Sequence, residues 1–244
     1  MFSLKDHPFA VETFFESSIV LTFAVPADEL KALLPACLTP DTFDEKWGFV
    51  AVAMVSTKAL RPKGFPEFMG NDFFLIGYRI FVRYKNAQEK NLRGLYILKS
   101  ETDKKKMSFF GNIFTHYKYT TTDIQFKKEG PKISIASENS GLNIELATGE
   151  EIGLPASSPF KDWKEARRFA GPLPFTFTVN RETNEVLIIE GVREDWVPKP
   201  VEVLSHRISF LEEKGFKGIV LANAFIIENI PYYWKKGKKE IWKP

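Results

Sequence analysis

Cysteine is almost absent. The 244-residue chain holds Cys37 alone, so no intrachain disulfide can form and no cysteine-based zinc site is available. Long apolar runs are missing as well, and the opening MFSLKDHPFAVE carries charges where a secretory signal would place its apolar segment. We therefore expect a soluble cytoplasmic protein with no membrane partner. An excess of charge of one sign is lacking too: 34 Lys and Arg stand against 31 Asp and Glu for a net charge of +3, with lysines bunched at Lys104–Lys106 and Lys235–Lys239. Neither bunch makes the broad basic face with base-stacking elements that a nucleic-acid partner needs, so no such partner is expected. The C-terminal WKKGKKEIWKP reads as a solubilising tail. His7, His116 and His206 stand far apart, without metal-ligand spacing, and there is no G-x-S-x-G elbow, P-loop or dinucleotide fingerprint. Neither metal nor cofactor is expected. With no Pro-, Gly- or Ser-rich linker and no internal period, residues 1–244 read as a single domain.

What the chain does have is phenylalanine. Its 23 residues, with Trp and Tyr, make 14% of the sequence aromatic and imply a β-rich core or an apolar cavity. Ile19–Val25 reads as a buried strand, followed by a helix from Pro26 to Leu34 that Pro35 stops. Trp47–Val55 is a second apolar strand, and a Pro/Gly-rich loop, ALRPKGFPEFMGND, follows it. Phe73–Tyr84 gives the strongest strand signal: Phe74, Ile76, Tyr78, Ile80, Val82 and Tyr84 alternate with a face carrying Arg79 and Arg83. Leu95–Lys99 should pair with it. From Asp103 the spacing of Met107, Phe110, Phe114 and Tyr117 predicts one face of a short helix. Strands are then expected at Thr121–Lys128, Lys132–Glu138, Leu142–Leu146, Phe175–Asn180 and Glu185–Val192. A helix is expected over Val201–Glu213, ended by Gly215, and a last strand over Gly218–Ile227. The fold class is α+β, mainly antiparallel β, with a few short helices.

Phe109–Tyr119 (FFGNIFTHYKY) carries the chemical lead. Burying the ammonium of Lys118 among aromatics would lower its pKa and leave more neutral amine as a nucleophile. The alternative is that its stem lies over the aromatics while the charge stays in solvent. Arg79 divides the same way: on strand alternation it faces either a pocket, as an anion or carbonyl partner, or solvent, as a cross-strand charge. Glu138, Glu145, Glu150 and Glu151 read as solvated surface groups.

In order and spacing, VLTFAVPADELKALLPACLTPDTFDEKWGFVAVAMV, GYRIFVRY and FTFTVNRETNEVLIIEG resemble the acetoacetate decarboxylase-like superfamily, in particular its uncharacterised domain-of-unknown-function branch. The resemblance covers most of the chain. It implies a closed antiparallel barrel or double sandwich around a pocket, homo-oligomers, and a lysine that forms a Schiff base with a β-keto acid. In FGNIFTHYKY it sets Lys118 against that nucleophile, Asn112 against a glutamate, His116 against an aromatic and Tyr117 against a proline. A second lysine is replaced by Tyr119. Glu16 stands where an arginine for the substrate carboxylate is expected, Val50 stands for a pocket carboxylate, and Glu67 could replace another acid. A glutamate repels a carboxylate, so acetoacetate decarboxylation itself is not expected. What is expected is an apolar pocket for a small carbonyl compound or organic acid. Lys118 is the candidate imine former, with His116 and Glu67 assisting and Arg79, Tyr119 and Glu16 contacting the ligand. The other reading is a non-catalytic ligand-binding or oligomeric structural protein of the same fold.

Overall fold

A computed structural model describes residues 3–169 and 173–243. The first strands are β1 (Val11–Pro26), β2 (Leu38–Pro40), β3 (Trp47–Pro62), β4 (Asn71–Lys85) and β5 (Asn91–Thr102). After them come β6 (Tyr119–Thr121), β7 (Gln125–Glu129), β8 (Lys132–Ser137), β9 (Leu142–Ala147) and β10 (Phe175–Asn180). The last are β11 (Glu185–Arg193), β12 (Lys199–Pro200), β13 (Glu202–Ile208), β14 (Val220–Trp234) and β15 (Lys238–Ile241). Four short helices interrupt them: α1 (Ala27–Lys31), α2 (Lys105–Phe114), α3 (Trp163–Ala166) and α4 (Ser209–Lys214).

An 11-stranded sheet runs β12-β14-β1-β3-β4-β5-β10-β11-β15, with β2 beside β4 and β6 beside β5. It curls until β11 meets β14, where Gly191, Val192 and Arg193 pair with Trp234, Tyr233 and Tyr232. That seam is short, so the molecule is a closed, sandwich-like fold and not a clean barrel. Antiparallel pairing dominates, as expected, but β10 and β6 both join β5 in parallel.

The period-2 pattern of β4 explains the layering. Its even side chains, from Phe74 to Tyr84, form one apolar cluster with Ile133, Ile135, Ile144 and Leu146 of a second sheet, ordered β13-β9-β8-β7. Its odd face turns into the closed interior, so the strand is covered on both sides. Glu101, buried between the sheets, accepts from Tyr78 Oη (3.1 Å) and Ser140 Oγ (2.8 Å) and pairs with Lys99 (2.8 Å). The phenylalanines serve both roles their number implies. Phe49, Phe160 and Phe169 stack in one core with centroids 4.5–5.5 Å apart, and others line a cavity.

Two expectations need correction. Glu202–Ile208 is a strand, and only Ser209–Lys214 is helical, capped by Gly215 at φ 64°. The partner decides this: β13 lies along β9, with Val203 opposite Leu146 and Ile208 opposite Leu142, and a register shift between Val203 and Ser205 breaks the alternation a reader would seek. The long Pro/Gly loop is also shorter than the sequence suggests. β3 continues to Pro62 through an irregularity where Ala59 adopts φ 50° and its N–H donates to Asp72 Oδ1 at 2.8 Å.

Candidate functional site

Inside the closed sheet lies a cavity of about 380 Å³. Small and apolar side chains of β1 and β3, such as Val20, Ala51 and Ala53, form one wall. Phe73, Leu75, Arg79 and Phe81 come from the odd face of β4, and Met107, Phe110 and Phe114 from one face of α2, as their spacing predicts. Among the polar groups of the lining, Arg79 interacts electrostatically with Tyr117, Tyr119 and Tyr232.

Arg79 sits deep in the protein yet keeps some accessible surface, because that surface faces the cavity. No ion pair joins it to a carboxylate among the described residues, and its Nε has no hydrogen-bond partner. Burial pulls its pKa down, opposed by attraction to the phenols of Tyr232, Tyr119 and Tyr117. Burial also raises each of those phenols: Tyr119 to about 12, Tyr117 further, and Tyr232 in the same direction. At neutral pH all three therefore carry their protons. A guanidinium and three phenol O–H groups make this corner rich in donors, which suits a ligand oxygen bearing negative charge.

Local structure holds these groups in place. The side chain of Asn112 on α2 brackets the backbone of Tyr119: its Nδ2 donates to the Tyr119 carbonyl (2.9 Å) and its Oδ1 accepts from the Tyr119 N–H (2.8 Å). Ser108 Oγ donates to the same carbonyl at 2.9 Å. Three glycines make room. A Cβ on Gly77 would stand 2.9 Å from both Nε and Nη2 of Arg79, one on Gly111 would meet the ring of Tyr119, and one on Gly191 would meet the hydroxyl of Tyr232.

Of the residues singled out from sequence, the cavity brings together Arg79 and Tyr119. Lys118 lies outside its lining. Tyr117 and Tyr119 line the cavity while Lys118, at φ 53°, is exposed between them. His116 is exposed, with Nε2 3.1 Å from Asp6 Oδ1. Glu67 is exposed in the turn Glu67–Met69. Glu16 is exposed at the irregularity of β1 between Phe15 and Ser17, outside the cavity lining, and accepts from Ser56 Oγ at 2.7 Å. Sequence reading missed Tyr232 and the glycines. It ends the last strand at Ile227, whereas β1 supplies partners for β14 as far as Trp234, opposite Val11. A pattern of apolar alternation carried past Pro231 would have reached Tyr232.

Residues 15–235 match the family DUF2071, described as an uncharacterized conserved protein. No curated protein matches the chain. Among solved structures, an acetoacetate decarboxylase from Legionella pneumophila superposes with a TM-score of 0.64 at 12% identity, covering 96% of this chain and 88% of that one. An acetoacetate decarboxylase-like enzyme from Sphingomonas wittichii gives 0.54 at 13%, covering 97% and 92%. The enduracididine biosynthesis enzyme MppR, complexed with pyruvate, gives 0.54 at 9%, covering 95% and 88%. At such identities these likenesses show a fold shared with acetoacetate decarboxylases, and the family match places the chain in DUF2071, an uncharacterized conserved family.

Proposed function

We propose that the cavity binds a small apolar organic acid or carbonyl compound, with its anionic or carbonyl oxygen held by Arg79 and the phenols of Tyr117, Tyr119 and Tyr232. One observation carries this reading: a guanidinium is held deep inside an apolar cavity without a carboxylate partner among the described residues. A buried charge without a partner costs several kcal/mol, and a bound anion is the group that would offset it. That MppR, on the same fold, is complexed with pyruvate lends support to the substrate class. In this reading the polarising group is the Arg79 guanidinium, not an imine on Lys118, whose exposure favours no Schiff-base step.

Calorimetric titration with pyruvate, acetoacetate, hexanoate and benzoate tests it. At least one should bind to the wild type. Arg79→Met should weaken that ligand by about ten- to a hundredfold, the range of one charge-assisted hydrogen bond. Borohydride trapping with the same keto acids should leave Lys118 unmodified. Equal affinity in Arg79→Met, or an adduct on Lys118, would overturn the reading.

A further inference from the structure

Only Phe9, Lys106 and Phe110 among the described residues both line the cavity and are exposed, so the cavity opens between the segment before β1 and the start of α2. Exposed apolar side chains lie on the three segments that border that opening, each of which contributes to the cavity lining through Phe9, through Pro62 and Asn71, or through Lys106 and Phe110. Phe109 and Phe110 come from α2, Phe9 from the N-terminal segment, and Phe65, Phe68 and Met69 from the loop between β3 and β4, with Phe68 88% and Phe109 63% exposed. These segments are contiguous in space. The turn Leu4–Asp6 packs on α2, the rings of Phe9 and Phe114 meet at 5.2 Å, and the N–H of Lys63 donates to the carbonyl of Ala10 at 2.9 Å. Single exposed phenylalanines are ordinary, but six large apolar groups exposed on three adjoining segments mark an interaction surface.

The charges of this rim select the occupant. Lys105 and Lys106 are exposed there and Lys63 Nζ stands 3.6 Å from the Tyr233 ring centroid, while of the acids on these segments Asp6 pairs with Lys239 (2.9 Å) and His116 and Asp103 with Lys104 (3.1 Å), leaving Glu67 exposed against three lysines. A two-fold contact between copies would set each lysine-bearing patch against itself. An anionic lipid surface accommodates both the aromatics and the lysines. We propose that the rim docks on an anionic bilayer, laying the cavity mouth at the headgroups so that an apolar carboxylate passes from the bilayer toward Arg79. This rests on the ligand reading above for what is taken up, but not for the docking itself. The contact is interfacial; no helix among the described residues is long and apolar enough to cross a membrane.

The test is cosedimentation with phosphatidylcholine vesicles, with and without phosphatidylglycerol. The wild type should sediment with the anionic vesicles, less at raised salt. Phe68→Ser should weaken this about tenfold or more, through lost apolar burial, and Lys105→Ala about fivefold. Arg79→Met should sediment like the wild type, and ligand titration without vesicles reports on the cavity separately, so failure of one reading is distinguishable from failure of the other. Absence of vesicle binding while ligand still binds would overturn the proposal. So would a concentration-dependent dimer in sedimentation velocity that Phe68→Ser dissolves, which would make a second copy the occupant.

Discussion

At the scale of single residues, the cavity trades stability for a held charge. Arg79 lies in an apolar interior without a carboxylate beside it, and replacing a buried charge by an apolar side chain of similar length is commonly neutral or stabilising. Arg79→Met should therefore raise the urea midpoint, by roughly 1–4 kcal/mol in unfolding free energy, while it removes anion binding. A lower midpoint would mean that the guanidinium has structural partners which hold the sheet. Gly77→Ala separates position from charge. Its Cβ would press on Nε and Nη2, the flexible end of Arg79, so the side chain moves before the backbone does. We expect stability within about 1 kcal/mol of wild type and ligand affinity lower by about tenfold, read by denaturation and titration of one preparation.

At the scale of elements, short polar contacts decide how chain segments meet. Asp123, between β6 and β7, accepts from Ser137 Oγ (2.7 Å) and from the N–H groups of Glu138 and Asn139 (3.1 Å each), clasping the turn from β8 to β9. The bond from Ser137 foremost, with those from the Asn139 N–H and Thr122, lowers its pKa from 3.8 to about 2. A carboxyl whose folded pKa is depressed contributes stability above its unfolded value and loses it as pH falls through the folded one. Asp123→Asn should thus lower stability at neutral pH and flatten the acid limb of the stability profile between about pH 4 and pH 2. Denaturant midpoints across that window read the effect, and an unchanged slope would dismiss it. Element identity was legible wherever one face alternated cleanly, as in β4 and the β10–β11 hairpin. It failed at Glu202–Ile208, where polar side chains gave no clear period and the edge of β9 made the choice.

At the scale of the molecule, closure depends on strands remote in sequence. β14 pairs with β1 from Val11–Trp234 to Ala24–Val220, and it also meets β11 and β12. A chain ended at Lys217 loses one of the two partners of β1 and the seam together. It should show no cooperative unfolding transition and no near-ultraviolet circular dichroism, whereas a folded truncated chain would place the folding core in β1, β3, β4 and β5 alone.

Pattern and order alone carried the mainly antiparallel α+β class, the alternation that sends Arg79 away from the Phe74–Tyr84 face, the α2 face of Met107, Phe110 and Phe114, and the resemblance to the decarboxylase-like fold. Periodicity is a local property, and a strand with one apolar face reports it without reference to its partners. Which second face looks into a cavity is not local. Arg79 and Arg83 lie on one face of one strand, yet one enters the cavity and the other pairs with buried Asp41 at 2.6 Å. Lys118 and Tyr119 are adjacent, yet one is exposed to solvent and the other lines the cavity. Only the closing of β11 on β14, which encloses one face of a curved sheet, separated them.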